Sequence, residues 1–598
     1  MCGIIGYIGN KTVDIELVNL LKNLEYRGYD SAGVAVQGKK NIEITKSVGK
    51  ISNLDSILRK NKTAKCGIAH TRWATHGMAT INNAHPHLSS DNSWAIVHNG
   101  IIENFAELKK ELLKNENISF KSETDTEVIA NLLQVENSED KIFTLIKACN
   151  RLKGSYALAC LNNKDKNTLF LAKKKSPLYI AKNDNEIIVA SDPICFSEKS
   201  TKYYSLNDDE FCKASTREIV FYDNLGNTIQ KDTIKMSDYN LNISKKEYPH
   251  FMIKEIEETP EVLARIYKTY CDNDVLKKFT KNFIKKHNNI VLIGCGTAYH
   301  AALIGARYIE DLAKLPCSAY MASEFRYQNP IIDDKTLCIF VSQSGETADT
   351  LAACELAKLK GATTVALTNV LYSTLAKNVD LLLPVCAGPE IAVASTKAYT
   401  AQIAIFYILA SRLKNIIFNK KINYLNHINK LAQKLTMANI ESAKNVARQL
   451  VDQEKAFFIG RNSDYLTCEE ASLKLKEITY INCSSHPAGE LKHGFLALIE
   501  KGTYVFVLAT KRNLLDKTLN GAHEALARGA KIILVSNLKI PKDKFKDFYL
   551  YIKLQNFNEN LMPISSIIYF QLLAYYTSIY KDLNPDQPRN LAKSVTVE

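Results

Sequence analysis

Cys2 follows the initiator methionine directly, in Met1-Cys2-Gly3-Ile4-Ile5-Gly6. Trimming of Met1, which a small second residue permits, leaves a thiol nucleophile and a free α-amino group on one residue. That amine titrates at about pH 8, so at neutral pH a useful fraction can act as base for its own thiol. Read alone, the residue is first of all a buried cysteine that opens a strand. Arg72 can grip a carboxylate through two parallel hydrogen bonds, as an amino-acid ligand requires, or pair with a surface acid. Asn99 and Gly100 offer a side-chain amide and a backbone N–H to a developing oxyanion. In Ser122-Glu123-Thr124-Asp125-Thr126-Glu127, Asp125 either caps the helix that follows or accepts a substrate ammonium.

A second group of residues suits a phosphorylated small molecule. Ser342-Gln343-Ser344-Gly345-Glu346-Thr347 puts hydroxyls and backbone N–H groups at a helix N-terminus. It lacks the lysine of a nucleotide-binding P-loop, and a polar turn with a capping serine has the same composition. Lys474 and Glu477 lie three apart on a helical stretch, hence on one face, the usual spacing of a surface ion pair. His493, within the polar stretch Pro487 to Gly494, is either a proton shuttle or a loop residue.

The elements that must position these groups follow from periodicity. Alternating glycine and β-branched residues from Gly3 predict a short buried strand that fixes Cys2 in a cavity. Asp14 to Leu24 has helical spacing, and Tyr26 to Gly33 is a loop leading into a strand at Val34-Ala35-Val36. Gly67 to Gly77 is a strand running into a polar loop. Asn99-Gly100 between two β-branched runs predicts a hairpin turn, which would itself present both donors.

Periodicity is lost from Met236 to Pro249, the mark of a domain boundary. Beyond it the chain repeats itself at a spacing of about 170 residues. Ile290–Gly294 is matched by Ala456–Gly460, Thr336–Val341 by Thr503–Leu508, and Lys360–Val365 by Arg528–Ile533. Strands alternating with helices predict two doubly wound α/β domains with parallel sheets, which take ligands at the carboxyl ends of their strands. The loop from Ser342 is such a place. Its counterpart from Ala509 to Asn513 lacks the serines, so one repeat is expected to bind phosphate and the other to support it.

The 598 residues are 46% apolar and 23% charged, the balance of a soluble protein of several domains. The net charge of +14 comes from scattered Lys and Arg. The longest basic cluster, Lys277 to Lys286, is broken by Phe279, Phe283 and Ile284 and reads as a solvated helix face, not a nucleic-acid site. The 14 cysteines include no CxxC pair and no His/Cys cluster of metal-site spacing. They suit the reduced thiols of a cytoplasmic protein, with no metal and no cofactor expected. No signal peptide opens the sequence. Leu561 to Tyr580 is uncharged and about long enough to span a bilayer. Its Ser565, Ser566, Gln571, Thr577 and Ser578 favour a buried helix, and no membrane association is expected.

Cys2-Gly3-Ile4, Tyr26-Arg27-Gly28-Tyr29-Asp30-Ser31, His70-Thr71-Arg72-Trp73-Ala74-Thr75-His76-Gly77, His98-Asn99-Gly100 and Thr124-Asp125-Thr126 occur in one order. It is the order of the N-terminal-nucleophile glutamine amidotransferases, which this part of the chain resembles. The resemblance implies a four-layer αββα sandwich. It implies that the Cys2 thiol attacks the glutamine side-chain amide, with the Cys2 amine as general base. Asn99 and Gly100 would then stabilise the oxyanion. Arg72 would bind the substrate carboxylate and Asp125 its ammonium, with Thr75 and His76 completing the pocket.

The second half resembles the sugar-isomerase (SIS) domains of the isomerising glutamine–fructose-6-phosphate aminotransferases, and Pro588 to Glu598 is similar to that family's tail. By that resemblance Cys295, Gly296, Thr297, Ser342, Gln343, Ser344 and Thr347 hold the phosphate of fructose 6-phosphate. Glu390, Val393 and Ser395 also match sugar-site positions. His493 would assist ring opening, Lys593 form a Schiff base with the C2 ketone, Glu477 move a proton between C1 and C2, and Lys474 manage charge on the intermediate. Trp73 is implied as the gate of an ammonia passage and the tail as part of its wall. The family often has serine after Cys-Gly-Thr, where this chain has Ala298, one hydroxyl fewer for the phosphate.

The organisation so implied is an amidotransferase domain at 2–235, a linker at 236–250, sugar-isomerase domains at 251–440 and 441–587, and a tail at 588–598. It would be a homodimer that turns L-glutamine and fructose 6-phosphate into glucosamine 6-phosphate and glutamate, the first step of amino-sugar synthesis. Two alternatives remain. An amidotransferase with another acceptor should carry a pyrophosphate or ATP-pyrophosphatase loop, and none is found. A sugar-phosphate-sensing regulator on the SIS fold would not need Cys2, Lys474, Glu477, His493 and Lys593 together.

Overall fold

The computed structural model describes residues 2–58, 63–73, 77–196, 199–236, 244–272 and 274–596. The chain forms two compact units, Met1–Ile243 with Ala592–Glu598, and Ser244–Leu591.

Among the described residues, the first unit is built on two sheets of eight and seven strands. Strand Gly3–Gly9 lies inside the larger sheet, antiparallel to Cys66–Arg72 on one edge and to Glu186–Ala190 on the other. It is buried along its whole length. A strand covered on both faces has no solvent side, which is why its sequence shows no apolar–polar alternation. Gly3 is required by closeness, since a Cβ there would stand 2.7 Å from the Leu24 Cβ.

The two sheets face each other through Ile4, Ile8 and Ile68 on one side and Val97, Ala159 and Leu171 on the other. Helices Phe105–Leu112, Thr126–Val135 and Lys141–Cys149 cover the outer face of the smaller sheet with Leu108, Ile129 and Leu145. Helix Val13–Lys22 packs on the larger sheet, its Leu17 against Gly67. The layers are helix, sheet, sheet, helix, the αββα sandwich expected.

One local expectation is overturned. Asn99-Gly100 is not a hairpin turn, because Trp94–Ile102 is one unbroken strand paired residue by residue with Gly154–Asn162. Gly100 has φ +135°, and a Cβ there would lie 2.0 Å from the Ser155 carbonyl oxygen. The glycine serves close strand approach, which selects the same residue as a tight turn does.

Among the described residues, the second unit contains two five-stranded parallel sheets of identical topology. The first runs, across the sheet, Cys317–Met321, Asn289–Gly294, Thr336–Ser342, Thr363–Thr368 and Leu381–Pro384. The second runs Asn482–Pro487, Lys455–Gly460, Tyr504–Leu508, Lys531–Ser536 and Leu550–Lys553. In each, strand order reverses beside the first strand in sequence. The loops leaving strands Asn289–Gly294 and Thr336–Ser342 therefore share the crevice where such sheets bind ligands.

Helices Lys397–Ile417 and Met562–Tyr580 are buried almost all round and share one core with Ser463–Thr479. Among the described residues no helix is long and apolar enough to cross a membrane. The basic stretch ends in a short helix, Lys281–Lys286, capped by Thr280 and with no buried residue.

Candidate active sites

Trp73, the residue after strand Cys66–Arg72, places its backbone against Cys2. The Trp73 N–H donates to Cys2 Sγ at 3.3 Å. Burial pushes the Cys2 thiol up, while the Trp73 N–H and the Arg72 guanidinium pull it down. Arg72 is buried, and its two terminal nitrogens donate to the carbonyls of Met78 at 3.3 Å and Gly77 at 3.2 Å. Burial lowers the Arg72 guanidinium, against which Cys2, Asp30 and Asp125 act. A nucleophile, a cation and a carboxylate are thus within electrostatic reach of one another.

Asp125 sits at the N-cap of helix Thr126–Val135 without a side-chain capping bond. Its Oδ2 instead accepts the Ile102 N–H at 2.8 Å, tying it to the strand that carries Asn99 and Gly100. Asn99 Nδ2 donates to the Cys2 carbonyl at 3.0 Å.

Behind Asn99 lies a set of buried histidines whose protonation can be read from their partners. His70 Nε2 is 3.0 Å from both Asn99 Oδ1 and the His98 carbonyl, and two acceptors demand that this nitrogen carry the hydrogen. His98 Nε2 faces the Ser155 carbonyl at 3.4 Å, so His98 Nδ1 accepts from Thr126 Oγ1 at 2.9 Å. Thr126 Oγ1 then accepts from His85 Nε2, also at 2.9 Å. The His85 ring lies over His70, centroids 4.1 Å apart, and stands edge-on to His87. Burial lowers all four rings, His70 to about 3, so each is neutral at pH 7.

In the second unit the loop after Thr336–Ser342 folds on itself. Ser342 Oγ accepts the Gly345 N–H at 2.9 Å, and Ser344 Oγ accepts the Glu346 N–H at 3.2 Å. Gly345 has φ +65°, and a Cβ there would meet Ser373 Oγ at 2.1 Å. Thr347 caps helix Ala348–Leu359 without a side-chain bond. Cys295, Gly296 and Thr297 lead into helix Thr297–Tyr308 beside it, with Cys295 Sγ 3.9 Å from Thr350 Oγ1.

Helix Ser463–Thr479 reaches this place from the other repeat. Lys474 is completely buried and pairs with Glu477 at 2.6 Å and with Glu470 at 3.4 Å. Burial works against its charge, but Glu470 and Glu477 outweigh that and push Lys474 up to about 12. Lys474 Nζ also donates to Thr297 Oγ1 at 3.0 Å, and Thr297 Oγ1 donates to Glu470 Oε1 at 3.1 Å. His300 Nδ1 lies 2.7 Å from Glu470 Oε2. Lys474 and Glu477 are therefore no surface pair but part of a network joining the two repeats.

Glu390 accepts from Ser395 Oγ at 2.7 Å and from the N–H groups of Thr396 and Ala398 at 2.9 and 3.0 Å. The Val393 N–H donates to the Asp586 carbonyl at 3.0 Å. His493 is exposed, its N–H bonded to the Glu490 carbonyl at 2.9 Å. Lys593 is half-buried and belongs to the segment Ala592–Glu598 that groups with the first unit. Thr75 and His76 lie outside the described residues. The sequence reading passes over His70, His300 and Glu470. Glu470 has a signal, since Glu470, Lys474 and Glu477 recur at helical spacing.

Comparison with known proteins agrees with this division. The glutamine amidotransferase domain family matches residues 70–198, and the SIS domain family matches 283–412 and 449–580. The glutamine–fructose-6-phosphate aminotransferase (isomerizing) of Clostridium acetobutylicum is 41% identical over 612 aligned residues, covering 100% of both chains. That of Bacillus subtilis is 41% identical over 613, again covering 100% of both. Among solved structures, the C-terminal domain of glucosamine-fructose-6-phosphate aminotransferase from Francisella tularensis is 32% identical with a TM-score of 0.53. It spans 58% of this chain and 100% of its own.

Proposed function

The chain belongs to the family of isomerising glutamine–fructose-6-phosphate aminotransferases, and from that premise we propose which of its residues perform each half of the reaction. It moves the amide nitrogen of glutamine to fructose 6-phosphate and isomerises the product, giving glucosamine 6-phosphate and glutamate.

In the first half, the Cys2 thiol attacks the side-chain carbonyl of glutamine. The Cys2 α-amine, free once Met1 is removed, takes the thiol proton and returns it to the leaving ammonia. Asn99 and Gly100 stabilise the tetrahedral oxyanion. Arg72 and Asp125 hold the α-carboxylate and α-ammonium, with Thr75 and His76 alongside. Water then hydrolyses the thioester to glutamate. The contacts of Cys2 with the Trp73 N–H and of Asn99 with residue 2 support this reading.

In the second half, Ser342, Gln343, Ser344 and Thr347 hold the sugar phosphate with the Cys295–Thr297 turn, beside Glu390, Val393 and Ser395. His493 assists ring opening. The Lys593 amine condenses with the C2 ketone, losing water, and ammonia displaces the lysine from the imine. Glu477 removes a proton from C1 and delivers it to C2. Lys474, held cationic, faces the negative charge that develops at the C1 oxygen. The observation carrying these assignments is the buried Lys474, which joins Glu477 to Thr297 of the phosphate-side repeat. A sugar-phosphate sensor has no use for a cation and a carboxylate held in that way.

We further read residues 2–235, 251–440 and 441–587 as the three domains, 236–250 as linker and 588–598 as tail, in a cytoplasmic homodimer. The test is a paired assay of glutamate and glucosamine 6-phosphate, with and without fructose 6-phosphate. Equal yields that depend on the sugar support the reading. Glutamate formed at one rate regardless of sugar, with no amino sugar, removes the assigned acceptor.

A further inference from the structure

The two repeats of the second unit open with the same turn. After strand Asn289–Gly294, Gly296 takes φ 51° and ψ −125°; after Lys455–Gly460, Asn462 takes φ 56° and ψ −131°. The glycine that ends each strand lies against the backbone four residues on, at Ala298 in the first repeat and Asp464 in the second. Sheet register completes the match. Ile293 pairs with Phe340 and Ile459 with Val507, so Gln343 of the phosphate loop corresponds to Thr510.

At these matched places the repeats differ. Ala298, Gln343 and Ser344 are partly exposed around the first crevice. Asp464 and Thr510 are buried, at 2% and 1% exposure. Asp464 Oδ2 accepts the Thr510 N–H at 2.6 Å, and Oδ1 accepts from Thr510 Oγ1 at 2.5 Å. A side-chain carboxylate therefore receives a loop amide and hydroxyl at the position where an open α/β sheet takes an anion. Burial pushes this carboxyl up to about 6, with Thr510 and Lys511 acting against it, so it is ionised at neutral pH.

Asp464 stands in the first turn of helix Ser463–Thr479, which carries Glu470, Lys474 and Glu477. That helix packs on Met562–Tyr580 through apolar side chains, a contact that is non-directional. We propose that Asp464 is a positioning residue for the sugar reaction: its carboxylate stands where the first repeat takes its phosphate and clamps the Thr510 loop to the helix, holding Lys474 and Glu477 in register with the sugar. This rests on the roles assigned above to Lys474 and Glu477. By the same contact the second repeat is closed to a sugar phosphate of its own.

The experiment uses full-length Asp464→Ala and Asp464→Asn, with Glu477→Gln in parallel. In Asp464→Ala, sugar-independent glutamate release stays at the wild-type rate and KM for fructose 6-phosphate changes little. Its kcat for amino-sugar formation drops by about 10- to 100-fold, the effect of a slightly misplaced group. Formate or inorganic phosphate, filling the vacated place, restores part of that kcat. Asp464→Asn, whose amide can both accept from the Thr510 N–H and donate to Thr510 Oγ1, recovers most of it. Wild-type kcat in Asp464→Ala overturns the proposal. So does a loss that neither anion nor the Asn variant relieves and that accompanies a lowered melting temperature. If Glu477→Gln is inactive while Asp464→Ala is normal, only the positioning role falls. If Glu477→Gln keeps full sugar turnover, the assignment beneath it falls as well.

Discussion

His70 Nε2 donates to Asn99 Oδ1 at 3.0 Å, and this one bond decides which end of the Asn99 amide faces Cys2. With its oxygen held by His70, the amide turns its NH2 toward residue 2, where Nδ2 meets the Cys2 carbonyl. The proposed role of Asn99 is that of an oxyanion donor, and such a donor acts through being fixed before charge develops. Asn99→Ala should therefore lose about 10²- to 10³-fold in kcat for glutamine hydrolysis. His70→Ala leaves the donor but frees it, and should lose about tenfold in kcat with little change in KM for glutamine. Steady-state glutamate release measures both, and an unchanged kcat in His70→Ala would remove the positioning role.

The neutral histidines make the first unit sensitive to acid. Burial holds His70, His85, His87 and His98 below the ordinary value, with Arg72 adding to the effect at His70, His85 and His87, Lys46 at His87, and Asp125 opposing it at His98. Below about pH 6.5 the unfolded chain binds protons that the folded chain refuses. The full stability is present above that pH and is lost as pH falls toward the folded value of His70, about 3. Each such ring contributes up to about 1.4 kcal/mol per pH unit within its window. Melting temperature followed from pH 7.5 downward should fall steeply below about 6.5, and His85→Phe should flatten the fall. Melting that ignores pH in this range contradicts the assignment.

What was legible in the sequence is local. Cys2 and the Ser342–Thr347 loop each depend on neighbouring residues, and a short stretch displays them whole. The bond from His70 to Asn99 joins separate strands, and neither residue's surroundings hint at the other. Lys474 and Glu477 are correctly spaced on one helix face, yet burial decides what the spacing means, and burial comes from distant helices such as Thr297–Tyr308. Asn99-Gly100 misleads because a turn and a close strand contact place the same demand on glycine. Asp464 and Thr510 are visible as residue types, but only the paired sheets show that one fills the place of a ligand.

Lys474 and Glu477 should separate stability from chemistry. Lys474→Met leaves Glu470 buried without its counter-charge, a loss of about 3–5 kcal/mol for the second unit. Its melting temperature and its sugar turnover should fall together. Glu477→Gln keeps the shape and still accepts from Lys474, but it cannot carry a proton. Amino-sugar formation should drop by about 10²- to 10⁴-fold at nearly unchanged melting temperature. Glutamate release at Cys2 continues in both. Full glucosamine 6-phosphate formation by Glu477→Gln would assign the C1–C2 proton to another group.

Trp73 offers a cleaner separation, because its backbone and side chain have different partners. Its N–H bonds Cys2 Sγ at 3.3 Å, while its ring stands edge-on to Tyr29, centroids 5.5 Å apart. Trp73→Ala keeps the first contact and deletes the second, so attack on glutamine should survive. If the ring gates the ammonia released at Cys2, its loss lets ammonia equilibrate with water, where most becomes ammonium and is no nucleophile. Glutamate should then exceed glucosamine 6-phosphate in the variant, against equal amounts in the wild type. External ammonium at alkaline pH should restore part of the amino sugar, since it supplies free ammonia from outside. Equal yields of the two products in Trp73→Ala would show that the ring takes no part in coupling the two reactions.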